Sequence, residues 1–162
     1  MGVSGAGKST VGRALAEALA WPFQEGDALH PPANVALMRA GVPLTDEDRW
    51  PWLAAVAGWI DGQAIRRAPG VITCSALRRS YRQVLTGGRP QVRLVHLQGD
   101  RGLIAGRLAG RRGHFMPPAL LDSQFATLEA PGSAEGAFVV DVALDVEQQV
   151  AAVLRSMSTT PE

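Results

Sequence analysis

The feature that most constrains this chain is its opening segment, MGVSGAGKST. Gly2 to Ser9 match the phosphate-binding pattern G-x-x-x-x-G-K-[ST]. In that loop, backbone N–H groups surround the phosphates, the lysine reaches the β- and γ-phosphates, and the hydroxyl coordinates Mg²⁺. Because the loop leads into the N-terminus of a helix, the segment predicts an α/β domain that binds a nucleoside triphosphate.

The lysine in this pattern argues against a chance match. Lys8 is the only lysine among 16 basic residues, and all the others are arginine. A phosphate loop requires a compact ammonium on a flexible stem, which a planar guanidinium does not replace. The one retained lysine therefore favours a working nucleotide site.

The bulk composition limits the classes of protein that remain. A chain of 162 residues, 46% hydrophobic and 19% charged, is typical of one globular domain, here expected to span residues 1–162. A net charge of +1 gives no reason to expect a nucleic acid or a membrane as partner. A single cysteine, Cys74, and the lack of an apolar span or leader indicate a cytoplasmic protein.

Hydrophobic periodicity predicts helices that alternate with short β-branched strands. The helices are expected over residues 9–20, 31–40, 52–67, 77–85, 100–111, 119–128 and 145–157, the last capped by Asp145. The strands are expected over residues 22–27, 70–74, 91–98 and 138–142. This alternation is typical of a parallel sheet covered by helices on both faces.

Four further segments carry a family resemblance: EGDALHPPANVALMRAGVPLTDEDRWPWL, CSALRRSYRQVL, VHLQG and RLAGRRGHFMPPALLDSQFATLEAP. With GVSGAGKST, and in this order, they closely resemble the gluconokinases, in the shikimate-kinase-like branch of the P-loop kinases. The resemblance covers nearly the whole chain. It implies a three-layer P-loop kinase fold with a lid loop near residues 111–117, and usually a homodimer.

The activity implied by the resemblance is phosphorylation of D-gluconate to 6-phospho-D-gluconate, with Mg²⁺-ATP as the donor. Two alternatives stay open. One is a kinase for another small polyol acid such as shikimate, and the other is a non-catalytic ATP-binding module.

The residues expected to contact the nucleotide are Gly2, Ser4, Gly5, Ala6, Gly7, Lys8, Ser9, Thr10 and Arg107. Lys8 is expected to be catalytic as well, and Ser9 to bind the Mg²⁺ that arrives with ATP. By resemblance, Arg107 stacks on adenine, and Arg111, in the lid, reaches the phosphates as a catalytic residue.

Two acidic residues follow the second strand of the expected sheet. Asp27 is positioned to accept the proton of the acceptor hydroxyl or to orient it, and the alternative is a turn or N-cap aspartate. Glu25, two residues earlier, points to the same side of an extended segment. It either holds an Mg²⁺-bound water or is a solvated surface glutamate.

Basic and polar side chains complete the expected substrate site. Arg49 suits the gluconate carboxylate, with a surface ion pair to Asp46 or Asp48 as the alternative. His30 either bonds a sugar hydroxyl or fixes its own loop. Arg78 and Arg82 lie four residues apart, hence on one helical face, after a parallel strand.

Two further residues of the C-terminal half, His114 and Gln124, belong to the segment GHFMPPALLDSQF. They are expected either to contact hydroxyls of gluconate or to close the lid. No cluster of cysteine and histidine in the sequence has the spacing of a metal site. Mg²⁺ bound with ATP is therefore the one metal that we expect.

The strand before the phosphate loop poses a separate problem. In this fold it is central, yet one residue precedes Gly2. Its absence would leave both neighbouring strands with unpaired backbone groups. We therefore expect a first central strand of ~5–6 residues to be missing, which makes Met1 an internal methionine. The alternative is that another segment fills the gap.

Overall fold

The computed structural model describes residues 1–110 and 118–158. Within these ranges the helices are α1 (Lys8–Leu19), α2 (Pro32–Arg39), α3 (Asp46–Ile65), α4 (Arg79–Thr86), α5 (Arg101–Ala109), α6 (Pro118–Thr127) and α7 (Val146–Ser158). The strands are β1 (Phe23–Gln24), β2 (Val71–Ile72), β3 (Val95–Gln98) and β4 (Phe138–Asp141). Short 3₁₀ turns cover Gly26–Leu29 and Ser133–Glu135. The expected alternation of strands and helices is confirmed, with shorter strands.

The strands pair in parallel, as predicted, and form two separate pairs. β1 pairs with β2, and β3 pairs with β4. Met1 and Gly2 lie between the pairs and hydrogen-bond to both. The Gly2 N–H donates to the carbonyl of Ser75 at 3.1 Å, and the Leu97 N–H donates to the carbonyl of Met1 at 3.0 Å. The phosphate loop therefore leaves from the centre of the assembled strands.

A cavity of about 1120 Å³ separates the two strand pairs. Apolar side chains from both strand pairs and from the flanking helices line it, among them Val11, Leu15, Ile60, Ile72, Val95 and Val153. Met1 is among the residues that line this cavity.

Two clusters of buried side chains stabilise the fold. The first joins the phosphate loop and α1 to β3, β4, α5 and α7, through residues such as Val11, Leu97 and Val150. The second joins α3 to α4 and includes Trp52 and Tyr81, both 1% exposed. Because the second cluster fixes α3 against α4, it also fixes the polar side chains at the start of both helices.

Helix α3 begins at Asp46, six residues before the position predicted from sequence. A capping box explains the difference: the Asp48 N–H donates to the Thr45 hydroxyl, and the Asp48 carboxylate accepts from the Thr45 N–H. The prolines of this segment had favoured a turn. At the other end of the chain, the Gln148 N–H donates to the Asp145 carboxylate at 2.8 Å, which confirms Asp145 as the cap of α7.

Candidate active site

The phosphate loop has the backbone that its sequence predicts. Gly5 and Gly7 adopt φ values of 82° and 94°, which side-chain-bearing residues rarely reach. A Cβ on Gly5 would also lie 2.6 Å from Cγ of Leu108. Helix α1 then starts at Lys8, with no side-chain cap and no acidic residue in its first turn. Its first N–H groups are therefore suited to phosphate oxygens, so the loop fits a triphosphate.

Two side chains contact the loop itself. The Lys8 ammonium donates to the carbonyl of Val3 at 3.0 Å. From α6, the amide oxygen of Gln124 accepts the Ser4 N–H at 2.7 Å. Gln124 was predicted from sequence to contact substrate hydroxyls or to close the lid, and the structure gives it a contact with the phosphate loop.

Of the two arginines expected to contact the nucleotide, Arg107 is among the described residues and Arg111 is not. Arg107, on α5, is exposed and donates to the carbonyl of Val142 at 2.6 Å, in the loop that follows β4. Its contact with adenine stays a prediction. Arg111 and His114 lie outside the described residues.

The site has two edges: the phosphate loop is the first, and the segment that follows β1 is the second. In this second edge the chain passes very close to the end of β2. A Cβ on Gly26 would lie 1.9 Å from the carbonyl oxygen of Thr73, so only glycine fits. The Gly26 N–H donates to the Thr73 hydroxyl at 3.2 Å, and that hydroxyl donates to the Glu25 carboxylate. The Trp52 indole N–H donates to the Gly26 carbonyl at 2.8 Å. These contacts fix the backbone on either side of Glu25 and Asp27.

The structure brings Asp27, His30 and Arg49 into one neighbourhood. The His30 ring stacks on Trp52 with centroids 4.2 Å apart, and its Nδ1 lies 3.3 Å from the side-chain nitrogen of Asn34. Burial lowers the pKa of His30, Asp27 acts to raise it, and Arg49 lowers it further. Since the amide nitrogen is a donor, His30 Nδ1 accepts, which leaves Nε2 as the ring donor.

Arg78 stands beside this group, at the N-cap of α4. One of its terminal nitrogens, Nη1, donates to Oδ2 of Asp46 at 2.7 Å, and the other oxygen of Asp46 accepts from the Tyr81 hydroxyl. Arg49 and Arg78 each place the guanidinium carbon 5.8 Å from the centroid of the Tyr81 ring. Two of the predicted substrate arginines therefore flank one buried tyrosine.

Arg82 does not belong to the site, and its predicted role is corrected. Its side chain is 1% exposed, and Nε and Nη2 donate to the two oxygens of the Glu135 carboxylate. Its Nη1 lies within 3.2 Å of the carbonyls of Ala76, Leu77 and Glu129. With all three nitrogens engaged by protein acceptors, Arg82 stabilises the fold and does not contact substrate.

The two edges of the site meet at residues 73–75, directly after β2. The Gly2 N–H of the phosphate loop donates to the carbonyl of Ser75 at 3.1 Å, the Gly26 N–H donates to the Thr73 hydroxyl at 3.2 Å, and Cys74 is the residue between them. Burial raises the pKa of this thiol to about 11, while Asp27 also raises it and Lys8 lowers it. Cys74 itself packs in the core, as predicted from sequence.

Several residues of the site gave no recognised signal in the sequence. Thr73, Asp46 and Tyr81 act through contacts with residues 32 to 48 positions away, which local periodicity does not reveal. The capping box at Thr45 was a readable signal for the start of α3 and so for the position of Asp46.

The described ranges contain neither a metal-binding cluster nor a membrane-spanning helix. No group of three or more His, Cys, Asp or Glu side chains there is placed to hold a metal ion. Over the same part of the chain, no helix has the length and apolar character needed to cross a bilayer.

Comparisons with known proteins agree with this geometry. The family model for shikimate kinase matches residues 4–48. A gluconokinase from Gluconobacter oxydans is 56% identical over 135 residues, which cover 83% of this chain and 76% of that protein. The crystal structure of a gluconokinase from Sinorhizobium meliloti is 48% identical, with a TM-score of 0.89 over 98% of this chain and 89% of that one. A sugar kinase from Janibacter is 47% identical, with a TM-score of 0.91 over 99% and 93% of the two chains. This chain belongs to the gluconokinase family of P-loop kinases.

Proposed function

We propose that this protein transfers the γ-phosphoryl group of ATP to D-gluconate and forms 6-phospho-D-gluconate and ADP. The observation that carries the proposal is the close approach of two edges. The phosphate loop bonds to the carbonyl of Ser75 through the Gly2 N–H, and the segment that carries Asp27 bonds to the Thr73 hydroxyl through the Gly26 N–H, so one short stretch after β2 holds both edges. A phosphoryl donor and a polar, anionic acceptor are thereby held next to each other, which is the main requirement for phosphoryl transfer.

The donor side holds the triphosphate. The N–H groups of the loop and of the first turn of α1 bind phosphate oxygens, and Lys8 leaves the Val3 carbonyl for the β- and γ-phosphates. The Ser9 hydroxyl, and Glu25 through a water, would hold Mg²⁺, which neutralises charge on the phosphates. Arg107 stacks on the base, and Arg111 stabilises charge on the transferring group.

The acceptor side orients gluconate. The oxygen of its 6-hydroxyl forms a new bond to the γ-phosphorus while the bond from that phosphorus to the β–γ bridging oxygen breaks. The hydroxyl proton passes to Asp27, whose carboxylate is exposed at the end of β1 and is bonded by no described residue. Arg49 and Arg78 pair with the substrate carboxylate, and His30, His114 and Gln124 contact its hydroxyls.

The test is ADP release from Mg²⁺-ATP, with and without D-gluconate. We expect release that depends on gluconate, a loss of at least ~100-fold for Lys8→Ala, and a loss of about 10²–10⁴-fold for Asp27→Asn. Asp61→Asn is the matched control, because it removes a carboxylate that pairs with Arg89 on the surface.

Other acceptors decide between the members of this class. Shikimate is the main competitor, because the matching family model is that of shikimate kinase. Gluconate stereoisomers complete the panel. A protein that is folded by near-ultraviolet circular dichroism, yet turns over shikimate and not gluconate, would overturn the proposal. Nucleotide binding without any turnover would favour a binding module instead.

A further inference from the structure

We propose that Tyr81 and Asp46 are positioning residues that make the acceptor site selective for a substrate bearing a carboxylate. Tyr81 holds one oxygen of Asp46, and so limits Asp46 to a single hydrogen bond with Arg78. The inference rests on the proposed function, and it adds two residues to which no role in selectivity has been assigned.

The Asp46 carboxylate divides its two oxygens between two helices. Asp46 is the first residue of α3, Arg78 is the N-cap of α4, and Tyr81 lies within α4. Oδ1 accepts from the Tyr81 hydroxyl, and Oδ2 accepts from Nη1 of Arg78 at 2.7 Å. Because an aspartate unconstrained at Oδ1 tends to bind arginine through both oxygens, the tyrosine hydroxyl prevents a bidentate pair.

Tyr81 is built to stay in this position as a hydrogen-bond donor. It is 1% exposed, and the edge of the Trp50 ring packs against it with centroids 5.5 Å apart at 83°. Burial and the bond to Asp46 raise the pKa of the Tyr81 hydroxyl to about 12. The hydroxyl therefore keeps its proton at neutral pH and acts as a donor there.

As a consequence, the guanidinium groups of Arg49 and Arg78 keep hydrogen-bond donors that no carboxylate of the described residues engages. The guanidinium groups of Arg49 and Arg78 both lie over Tyr81, and the Asp46 carboxylate bonds to that of Arg78. Arg78 is 42% exposed, and among the described residues its one acceptor is Asp46, bonded to Nη1. Arg49 donates one bond of 3.3 Å to the carbonyl of Leu44. The remaining donors can pair with a substrate carboxylate, which a neutral polyol cannot offer.

Removal of the Tyr81 hydroxyl should make Arg78 less available to the substrate carboxylate. In Tyr81→Phe the ring and its packing remain, but Asp46 is free to rotate and to engage Arg78 with both oxygens. The substrate carboxylate must then compete with a bidentate ion pair. We expect the KM for gluconate to rise about tenfold, while kcat and the KM for ATP change less than about twofold.

The control and the second variant separate this role from a loss of stability. Thr86→Val removes a hydroxyl from the same helix, one that donates to the carbonyl of Arg82 and has no contact with Asp46, and it should leave all constants unchanged. In Asp46→Asn, the added Tyr81→Phe should have no further effect on the KM for gluconate, because the carboxylate that the hydroxyl restrains is gone.

Failure of the proposed kinase activity and failure of the positioning role of Tyr81 and Asp46 give different results. If the wild-type protein does not turn over gluconate, the proposed function fails before the variants are compared. If the wild type is active and Tyr81→Phe leaves the KM for gluconate unchanged, or lowers kcat without changing that KM, the positioning role is overturned. The same holds if the effects of the two substitutions are additive. A smaller preference for gluconate over neutral D-glucitol in Tyr81→Phe would support the proposed selectivity.

Discussion

Arg78 and Arg82 lie one turn apart at the start of α4, and the structure gives them opposite roles. The Arg82 side chain is 1% exposed, and all its nitrogens bond to carboxylate or carbonyl oxygens of the protein. The Arg78 side chain is 42% exposed and shares one bond with Asp46. Donors that are fully used stabilise the fold, whereas donors left over next to a polar cleft are available to a ligand.

The buried region around Arg82 connects parts of the chain that are far apart in sequence. Its guanidinium bonds to the segment that follows β2 and to the segment that follows α6, and it pairs with Glu135 in a 3₁₀ turn. The Glu129 side chain adds a bond from the Arg79 N–H at 2.6 Å. This anchors the end of α6, the helix that presents Gln124 to the phosphate loop.

The largest expected effect comes from breaking the buried region. Arg82→Met removes the cation that pairs with Glu135 and the side-chain donor shared by the carbonyls of Ala76, Leu77 and Glu129, so we expect a loss of about 3–5 kcal/mol in the free energy of unfolding. Arg78→Met is the matched control on the same helix, and it should cost less than about 1 kcal/mol because its ion pair is half exposed. Urea unfolding followed by tryptophan fluorescence measures both. Equal losses for the two variants would contradict the division of roles.

The second expected effect is on the KM for gluconate, and here Arg78→Met should have the larger effect and Arg82→Met the smaller one. Arg78→Met removes a proposed partner of the gluconate carboxylate, so we expect the KM for gluconate to rise about 10–100-fold while the KM for ATP stays constant. Arg82→Met, assayed at a temperature where it is folded, should keep a KM for gluconate within about threefold of the wild type. An Arg82 variant with the larger KM would return that residue to the substrate site.

The sequence predicted these two arginines to share one face because four residues separate them. That rule applies inside a helix, but Arg78 is the N-cap, with φ −97° and ψ 150°, and so lies outside the helical path. Its side chain therefore leaves in a different direction from that of Arg82. The helix was predicted to start at residue 77 and starts at Arg79, and this shift of two residues was enough to assign both arginines to the substrate.

Other parts of the site could be predicted because their signals are local. The phosphate loop is a contiguous pattern, and the structure reproduces its left-handed glycines and the helix that follows it. The pairing of Arg82 with Glu135 spans 53 residues, and the bond from Thr73 to Glu25 spans 48. Such contacts arise only when the strands assemble, so neither periodicity nor spacing could indicate them.

The smallest effect that we expect is a pH dependence confined to the buried region. The hydrogen bond from Arg82 lowers the pKa of Glu135 from its ordinary 4.5 to about 2, with burial acting in the opposite direction. Since the folded-state pKa lies below the unfolded one, the stability from this ionised carboxylate is complete above about pH 4.5 and is lost as the pH falls toward 2. The wild type should therefore exceed Glu135→Gln in free energy of unfolding at pH 7, and that difference should shrink by up to ~1 kcal/mol by pH 4. Urea unfolding of both proteins at the two pH values measures it. A difference that is the same at both would mean that the charge on Glu135 does not stabilise the fold, and that Arg82 depends on its carbonyl partners alone.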